Sequence, residues 1–178
     1  MGPETKQAFA VWITGLPASG KSTLAAALSK LLAARGVDVA VLESDVLRRV
    51  FTPHPLYNDE ERDRFYQQMV FVGRLLIEHG VPVIFDATAN RRAYRDRARK
   101  QIPQFLEVYV AISLNTCIAR DPKGIYRRGH KGGANSVPGI QAVYEPPERP
   151  DVVVNGETDQ SEAAARRILL ALSERNYV

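Results

Sequence analysis

One cysteine, one tryptophan, two methionines and three histidines are all that the 178 residues hold of those types. The single thiol, Cys117, excludes an internal disulfide. No metal-ligand spacing surrounds it, so packing within a helix is its expected role. The histidines at 54, 79 and 130 fall in a loop, at a helix end and in a glycine-rich segment, which speaks against a histidine metal centre or catalytic dyad. Long apolar runs are missing too: none approaches the roughly 20 residues that cross a bilayer, and the first residues are polar, so the chain reads as cytoplasmic with no membrane partner. Charge of one sign is scarce, with 24 basic against 20 acidic residues and a net charge of +4. The basic residues are scattered and no stacking platform accompanies them, which argues against a nucleic-acid partner and leaves small anionic molecules.

What is present is alternation. Strand-like runs at 9–14, 37–43, 81–87, 105–112 and 151–156 alternate with helical patterns. The helices are expected from Gly20 onward, over 59–78 with Gly80 closing it, over 91–101, over 115–119 and over 161–174. Runs of Val, Ile and Phe without polar alternation suit strands covered on both faces, with Trp12 in the sheet core. Strands separated by helices imply a parallel sheet with crossover connections. One segment breaks the rhythm. Residues 121–150 carry "KGIYRRGHKGGANSVPG" and "YEPPERP", and so long a connection in a compact unit reads as a lid, over about 121–147. Its glycines, Gly129, Gly132, Gly133 and Gly139, suit a segment that orders when a ligand binds. No repeat or linker divides the chain, so residues 1–178 read as one domain.

The stretch "VWITGLPASGKSTLAAAL" is the most specific signal. Gly15, four residues, then Gly20-Lys21-Ser22 matches the phosphate-binding loop, with a strand before it and a helix after it. Glycines let the backbone turn several N–H groups around phosphate oxygens, and the helix start adds its positive end. Lys21 supplies a charge to the β- and γ-phosphates, the Ser22 hydroxyl is placed for Mg²⁺, and Thr23 assists nearby. Nucleotide contacts are therefore expected from Gly15, Pro17, Ala18, Ser19, Gly20, Lys21, Ser22 and Thr23. The fold expected is α/β: the three-layer P-loop NTPase architecture, a mainly parallel sheet of about five strands with helices on both faces and a lid. The cofactors are ATP and Mg²⁺.

If phosphoryl transfer follows, positive charge must surround the moving group and a carboxylate must stand near the acceptor hydroxyl. "ESDVLRR" places Asp45 just beyond the second strand, where ligands gather in open parallel sheets. Asp45 is the expected base or magnesium-water ligand, with helix capping as the plain alternative. "FDATANRRAYRDRAR" places Asp86 at the end of the third strand as a second carboxylate for the metal. Metal ligation is thus expected from Ser22, Asp45 and Asp86. Arg48 and Arg92 are candidates to grip an anionic acceptor; most other arginines of 91–99 suit a solvated helix face.

"RDPKGIY" and "YEPPERPDVVV", taken with "GLPASGKSTLA", resemble the adenylylsulfate kinases, over about residues 11–156. Those enzymes move the ATP γ-phosphate to the 3′-hydroxyl of adenosine 5′-phosphosulfate (APS). The resemblance implies that Lys21 and Asp45 are catalytic, and that Asp45, Arg48, Tyr57, Arg62 and Arg92 bind the acceptor. It places Arg120, Asp121 and Lys123 where the family holds adenine and closes its lid, and it allows a homodimer. The acceptor side departs from the family. "ENIRR" becomes "RFYQQ" with Gln67 and Gln68, the pocket serine becomes Ala89, and an aromatic that stacks on the acceptor becomes Val137. Two alternatives stay open on these residues: a related kinase for another nucleotide-linked or small hydroxyl acceptor, and an ATP-binding regulatory module with little transfer activity. The stretch "VIFDAT…R…R…R" also resembles small kinases of the polynucleotide-kinase type.

Overall fold

In the computed structural model, which describes residues 8–130 and 136–178, five strands form one parallel sheet. They are β1 (Ala10–Thr14), β2 (Ala40–Glu43), β3 (Val83–Asp86), β4 (Phe105–Ala111) and β5 (Val152–Asn155), in the order β2-β3-β1-β4-β5. The central strand β1 pairs with β3 from Ala10↔Val83 to Ile13↔Asp86 and with β4 from Ala10↔Phe105 to Thr14↔Tyr109. Among the described residues seven helices accompany the sheet: α1 (Lys21–Ala33), α2 (Ser44–Phe51), α3 (Asp59–Glu78), α4 (Arg92–Gln101), α5 (Leu114–Arg120), α6 (Ile125–His130) and α7 (Ser161–Glu174).

The period of two along a strand divides β1 between two cores. Val11 and Ile13 face one layer, where they pack with Leu24 and Leu28 of α1 and Ile168 and Leu172 of α7. Ala10 and Trp12 face the other, with Phe65 and Met69 of α3 and Tyr94 and Ala98 of α4. Trp12 stacks on Phe85 at 4.6 Å between ring centroids and donates its indole N–H to the Ala87 carbonyl at 3.2 Å. Full burial of such a side chain contributes about 1.5–3 kcal/mol. Gly73 lets α3 approach the sheet: a Cβ there would overlap the Phe85 ring.

The expected strands and helices appear, most within three residues of the bounds read from the sequence. At the start of α3 the Asn58 side chain caps the Glu61 amide at 2.8 Å, and Asp59, Glu60 and Glu61 favour the helix dipole. Gly80 ends it with φ of 80°. Three expectations need correction. β2 is an edge strand whose residues alternate in burial, with Val41 and Glu43 exposed, so it is not covered on both faces. Asp45 is not a helix cap: it sits in the first turn of α2, a helix outside the sequence-based expectations that follows β2 without a connection and whose cap position is Glu43. Within the expected lid, residues 125–130 are helical as α6. Gly132 and Gly133 lie outside the described residues, as does the His130 side chain. No helix among the described residues is long and apolar enough to cross a membrane.

Candidate active site

The order β2-β3-β1-β4-β5 is reached by connections that lead from β1 to β2 and β3 on one side and then across to β4 and β5 on the other, so a crevice opens at the carboxyl end of β1, where the strand order reverses. The loop that leaves β1 there is Gly15–Gly20. A Cβ at Gly15 would lie 2.8 Å from Ser19 Oγ and 2.9 Å from the Val110 carbonyl, so the position accepts no side chain. Ala18 and Gly20 take left-handed φ angles of 62° and 98°, which fold the loop back on itself. No side chain caps α1, which leaves its first-turn amides for a ligand. Ser19 Oγ is buried and has no hydrogen-bond partner, a polar atom waiting for one.

Lys21 is buried and donates to the Leu16 carbonyl at 2.9 Å. Burial pushes its ammonium below the ordinary lysine range, against the opposing pull of Asp86 and then Asp45. Ser22 donates its hydroxyl to Asp86 Oδ2 at 2.6 Å, a charge-assisted bond. Asp86 is therefore not a helix cap; the cap residue of α4 is Arg91. Asp45 reaches across and pairs with Lys123 at 2.6 Å, which raises the Lys123 pKa. These groups line a cavity of about 540 Å³ together with Pro17, Ala18, Gly20, Thr23 and Arg120. Arg120 donates to the Gly156 carbonyl at 2.8 Å. Hydroxyl and carboxylate oxygens are the donors that Mg²⁺ selects, and the pair Ser22–Asp86 with Asp45 opposite fits such an ion beside a triphosphate. Among the described residues no cluster of three or more His, Cys, Asp or Glu offers an all-protein metal cage.

A second cavity of about 370 Å³ adjoins the first. Pro17, Ser44, Asp45, Thr88 and Ile125 line both, so Asp45 stands in their common wall. The far side is built by the turn at Tyr57, whose φ of 56° is held by Glu61, which accepts the Leu56 and Tyr57 amides. Glu61 also pairs with Arg48 at 3.4 Å. The Arg48 guanidinium lies 3.9 Å from the Phe65 ring centroid and 5.2 Å from that of Tyr57. Arg62 is buried and donates to the Tyr57 carbonyl, Asn90 Oδ1 and the Ser136 carbonyl. None of those partners is a carboxylate, and burial lowers its pKa.

The structure thus brings together the loop residues, Asp45, Asp86, Arg48, Tyr57, Arg62, Arg120 and Lys123. It leaves Arg92 out: that side chain pairs with Glu148 and lines a separate surface depression with Asp96 and Arg149. Gln67 and Gln68 are exposed on α3 and line neither cavity, whereas Val137 lines the second.

Sequence reasoning missed a buried framework behind the second cavity. Arg95, assigned with its neighbours to a solvated face, is 1% exposed. It donates to Glu107 at 2.8 Å, to the Glu145 carbonyl at 2.6 Å and to the Ala89 carbonyl, where φ is 41°. The spacing of Tyr94, Arg95 and Ala98, all buried on α4, was the available signal. Tyr66 Oη accepts the Ala89 amide at 3.0 Å. Thr14 donates to the Thr88 carbonyl at 2.6 Å and lies 3.1 Å from Tyr144 Oη, whose pKa burial raises. Gln141 accepts the Ser136 and Val137 amides and donates to the Gly129 carbonyl, tying together the two flanks of residues 131–135.

A phosphate loop at the carboxyl end of β1, a hydroxyl–carboxylate pair beside it and an adjoining cation-lined cavity define a P-loop phosphotransferase. The adenylylsulphate kinase family model matches residues 7–155. The adenylyl-sulfate kinase of Microcystis aeruginosa is 36% identical over 168 residues, 94% of this chain and 93% of that protein. The probable adenylyl-sulfate kinase of Pyrococcus abyssi is 33% identical, covering 97% and 99% of the two chains. Among solved structures, the Mycobacterium tuberculosis APS kinase in complex with AMPPNP and APS superposes with a TM-score of 0.88 at 28% identity, over 94% and 98%. The chain belongs to the adenylylsulphate kinase family.

Proposed function

We propose that the protein transfers the γ-phosphoryl group of ATP to the 3′-hydroxyl of APS, with the triphosphate in the first cavity and the acceptor in the second. The carrying observation is the common wall: Asp45 reaches both cavities, so a hydroxyl in one can face a phosphoryl group in the other. In this reading the amides of residues 15–23 and Lys21 hold the β- and γ-phosphates, where positioning and charge lower the barrier. Ser22 and Asp86, with Asp45 opposite, would hold Mg²⁺, which when bound would supply neutralising charge to the triphosphate. Asp45 leaves Lys123 and accepts the proton of the acceptor hydroxyl, while Lys123 and Arg120 close over the nucleotide. Arg48, Tyr57 and Arg62 hold the acceptor, and the buried charge of Arg62, which has no carboxylate partner, suits an anionic one.

Incubation with MgATP and APS, followed by separation of the 3′-phosphorylated product, tests this. Turnover well below about 1 s⁻¹, the lower end for kinases, refutes APS as the acceptor. A related acceptor is the second reading, and Val137 on the cavity wall and Ala89 behind it favour it. Screening hydroxyl acceptors by ADP release separates the two. We further read the chain as one cytoplasmic kinase domain whose lid spans about 121–147, with a homodimer as its expected assembly.

A further inference from the structure

We infer that Arg128 selects the acceptor by its charge; the inference rests on the second cavity being the acceptor site. The cations that line the two cavities differ in what holds them. Lys123 is held by Asp45 at 2.6 Å, and Arg48 by Glu61 at 3.4 Å. Arg62 is anchored on two backbone carbonyls and Asn90, and its position fixes the Tyr57 turn. Arg120 is bonded to the Gly156 carbonyl. Arg128 alone of the arginines on the second cavity has neither a hydrogen-bond nor an ion-pair partner among the described residues. Its guanidinium lies against Gly124, where a Cβ would stand 3.6 Å from Nη1. It is exposed, and α6 carries it on the lining of the second cavity and of a surface depression shared with Lys123 and Arg127.

An exposed cation with no intramolecular partner breaks no contact within the protein when it meets an anion, whereas Arg48 must share its charge with Glu61. Arg48, Arg62 and Arg128, with Lys123 paired to Asp45, outnumber the carboxylates Asp45 and Glu61 and leave this cavity positive, and the adaptable part of that charge is Arg128. The ligand chemistry it fits is an anionic group on the acceptor distal to the hydroxyl that receives the phosphoryl group. Arg128 thus discriminates between charged and neutral acceptors, while the loop at residues 15–22 discriminates for the triphosphate.

The test is steady-state kinetics of Arg128→Gln and Arg128→Lys beside the wild type, varying APS at saturating MgATP and then the reverse. Arg128→Gln is expected to raise KM for APS about tenfold, the value of one charge-assisted hydrogen bond at a partly exposed site. KM for ATP stays within twofold, kcat changes far less than KM, and Arg128→Lys recovers most of the loss. The wild-type KM for APS is expected to rise more steeply with ionic strength than that of Arg128→Gln. An unchanged KM for APS in Arg128→Gln, or equal rises for APS and ATP, overturns the inference alone. Absence of wild-type turnover with APS overturns the proposed acceptor and this inference with it. Thermal midpoints that match the wild type exclude misfolding as the cause.

Discussion

Asp86→Asn separates a metal role from a merely structural one. Asp86 is 5% exposed and accepts the Ser22 hydroxyl at 2.6 Å, and it is the largest charged influence sustaining the Lys21 ammonium. The amide keeps the shape and a hydrogen-bond acceptor but removes the charge. Triphosphate alone carries several negative charges, and a carboxylate beside it repels them; the magnesium complex needs that carboxylate. The substitution should therefore act in opposite directions. Metal-free ATP binds Asp86→Asn as tightly as the wild type or more so, whereas MgATP binds more weakly. A charge-assisted contact contributes about 1.5–3 kcal/mol, so MgATP affinity should fall roughly 10- to 150-fold. Transfer at saturating nucleotide should drop by about 10²–10³, the loss typical of a group acting on transition-state charge. Because Ser22 and Asp86 touch, Ser22→Ala should add little once Asp86 is replaced. Calorimetric titrations with and without magnesium, on the two single variants and the double, read all of this. Equal weakening of both nucleotide forms, or additive losses in the double variant, refutes the assignment.

Burial lowers the Lys21 pKa from the ordinary 10.5, so in the window between the lowered value and 10.5 the unfolded chain binds more protons than the folded one. The destabilisation from burying the ammonium is thus fully present below that window and is relieved as pH rises through it. Phosphate oxygens favour the charged form, so MgATP binding should take up a proton in that alkaline window. Calorimetry in buffers of different ionisation enthalpy measures the uptake, and a Lys21→Met variant that takes up the same proton refutes the attribution. Gly73→Ala should destabilise by about 1–3 kcal/mol through overlap with the Phe85 ring, which lowers the melting midpoint by roughly 2–4 °C per kcal/mol for a chain of this size. A midpoint equal to the wild type in thermal unfolding would show that α3 does not approach the sheet so closely.

The nucleotide side was legible because its chemistry is local. Gly15, Gly20, Lys21 and Ser22 act within one strand–turn–helix, so their order in the chain is their order in space. Asp45 and Asp86 were found because a parallel sheet brings the carboxyl ends of β2 and β3 to the same crevice. Asp45 and Arg48 apart, the second cavity was legible only through family resemblance, since it draws on α2, α3, α6 and residues 136–138, which no local pattern joins. Arg92 and Arg95 show why. A run of arginines does not reveal which one turns inward, and the inward one is settled by Glu107 on β4 and the carbonyls of Ala89 and Glu145, all distant in sequence. Helix α2 escaped notice because no residue of it is buried and no side chain caps it.

Arg95 fastens two segments at once, the bend at Ala89 and the return of the chain at Glu145, while Glu145 donates its amide to the Asn90 carbonyl and accepts that of Arg92. The bend behind the second cavity and the chain returning at residue 145 are therefore a single mechanical part. Lengthening or re-routing residues 143–150 would shift the bend at Ala89 behind the second cavity, even though none of them lines that cavity. A lineage that altered this strap could change what it phosphorylates without altering any residue that touches the substrate.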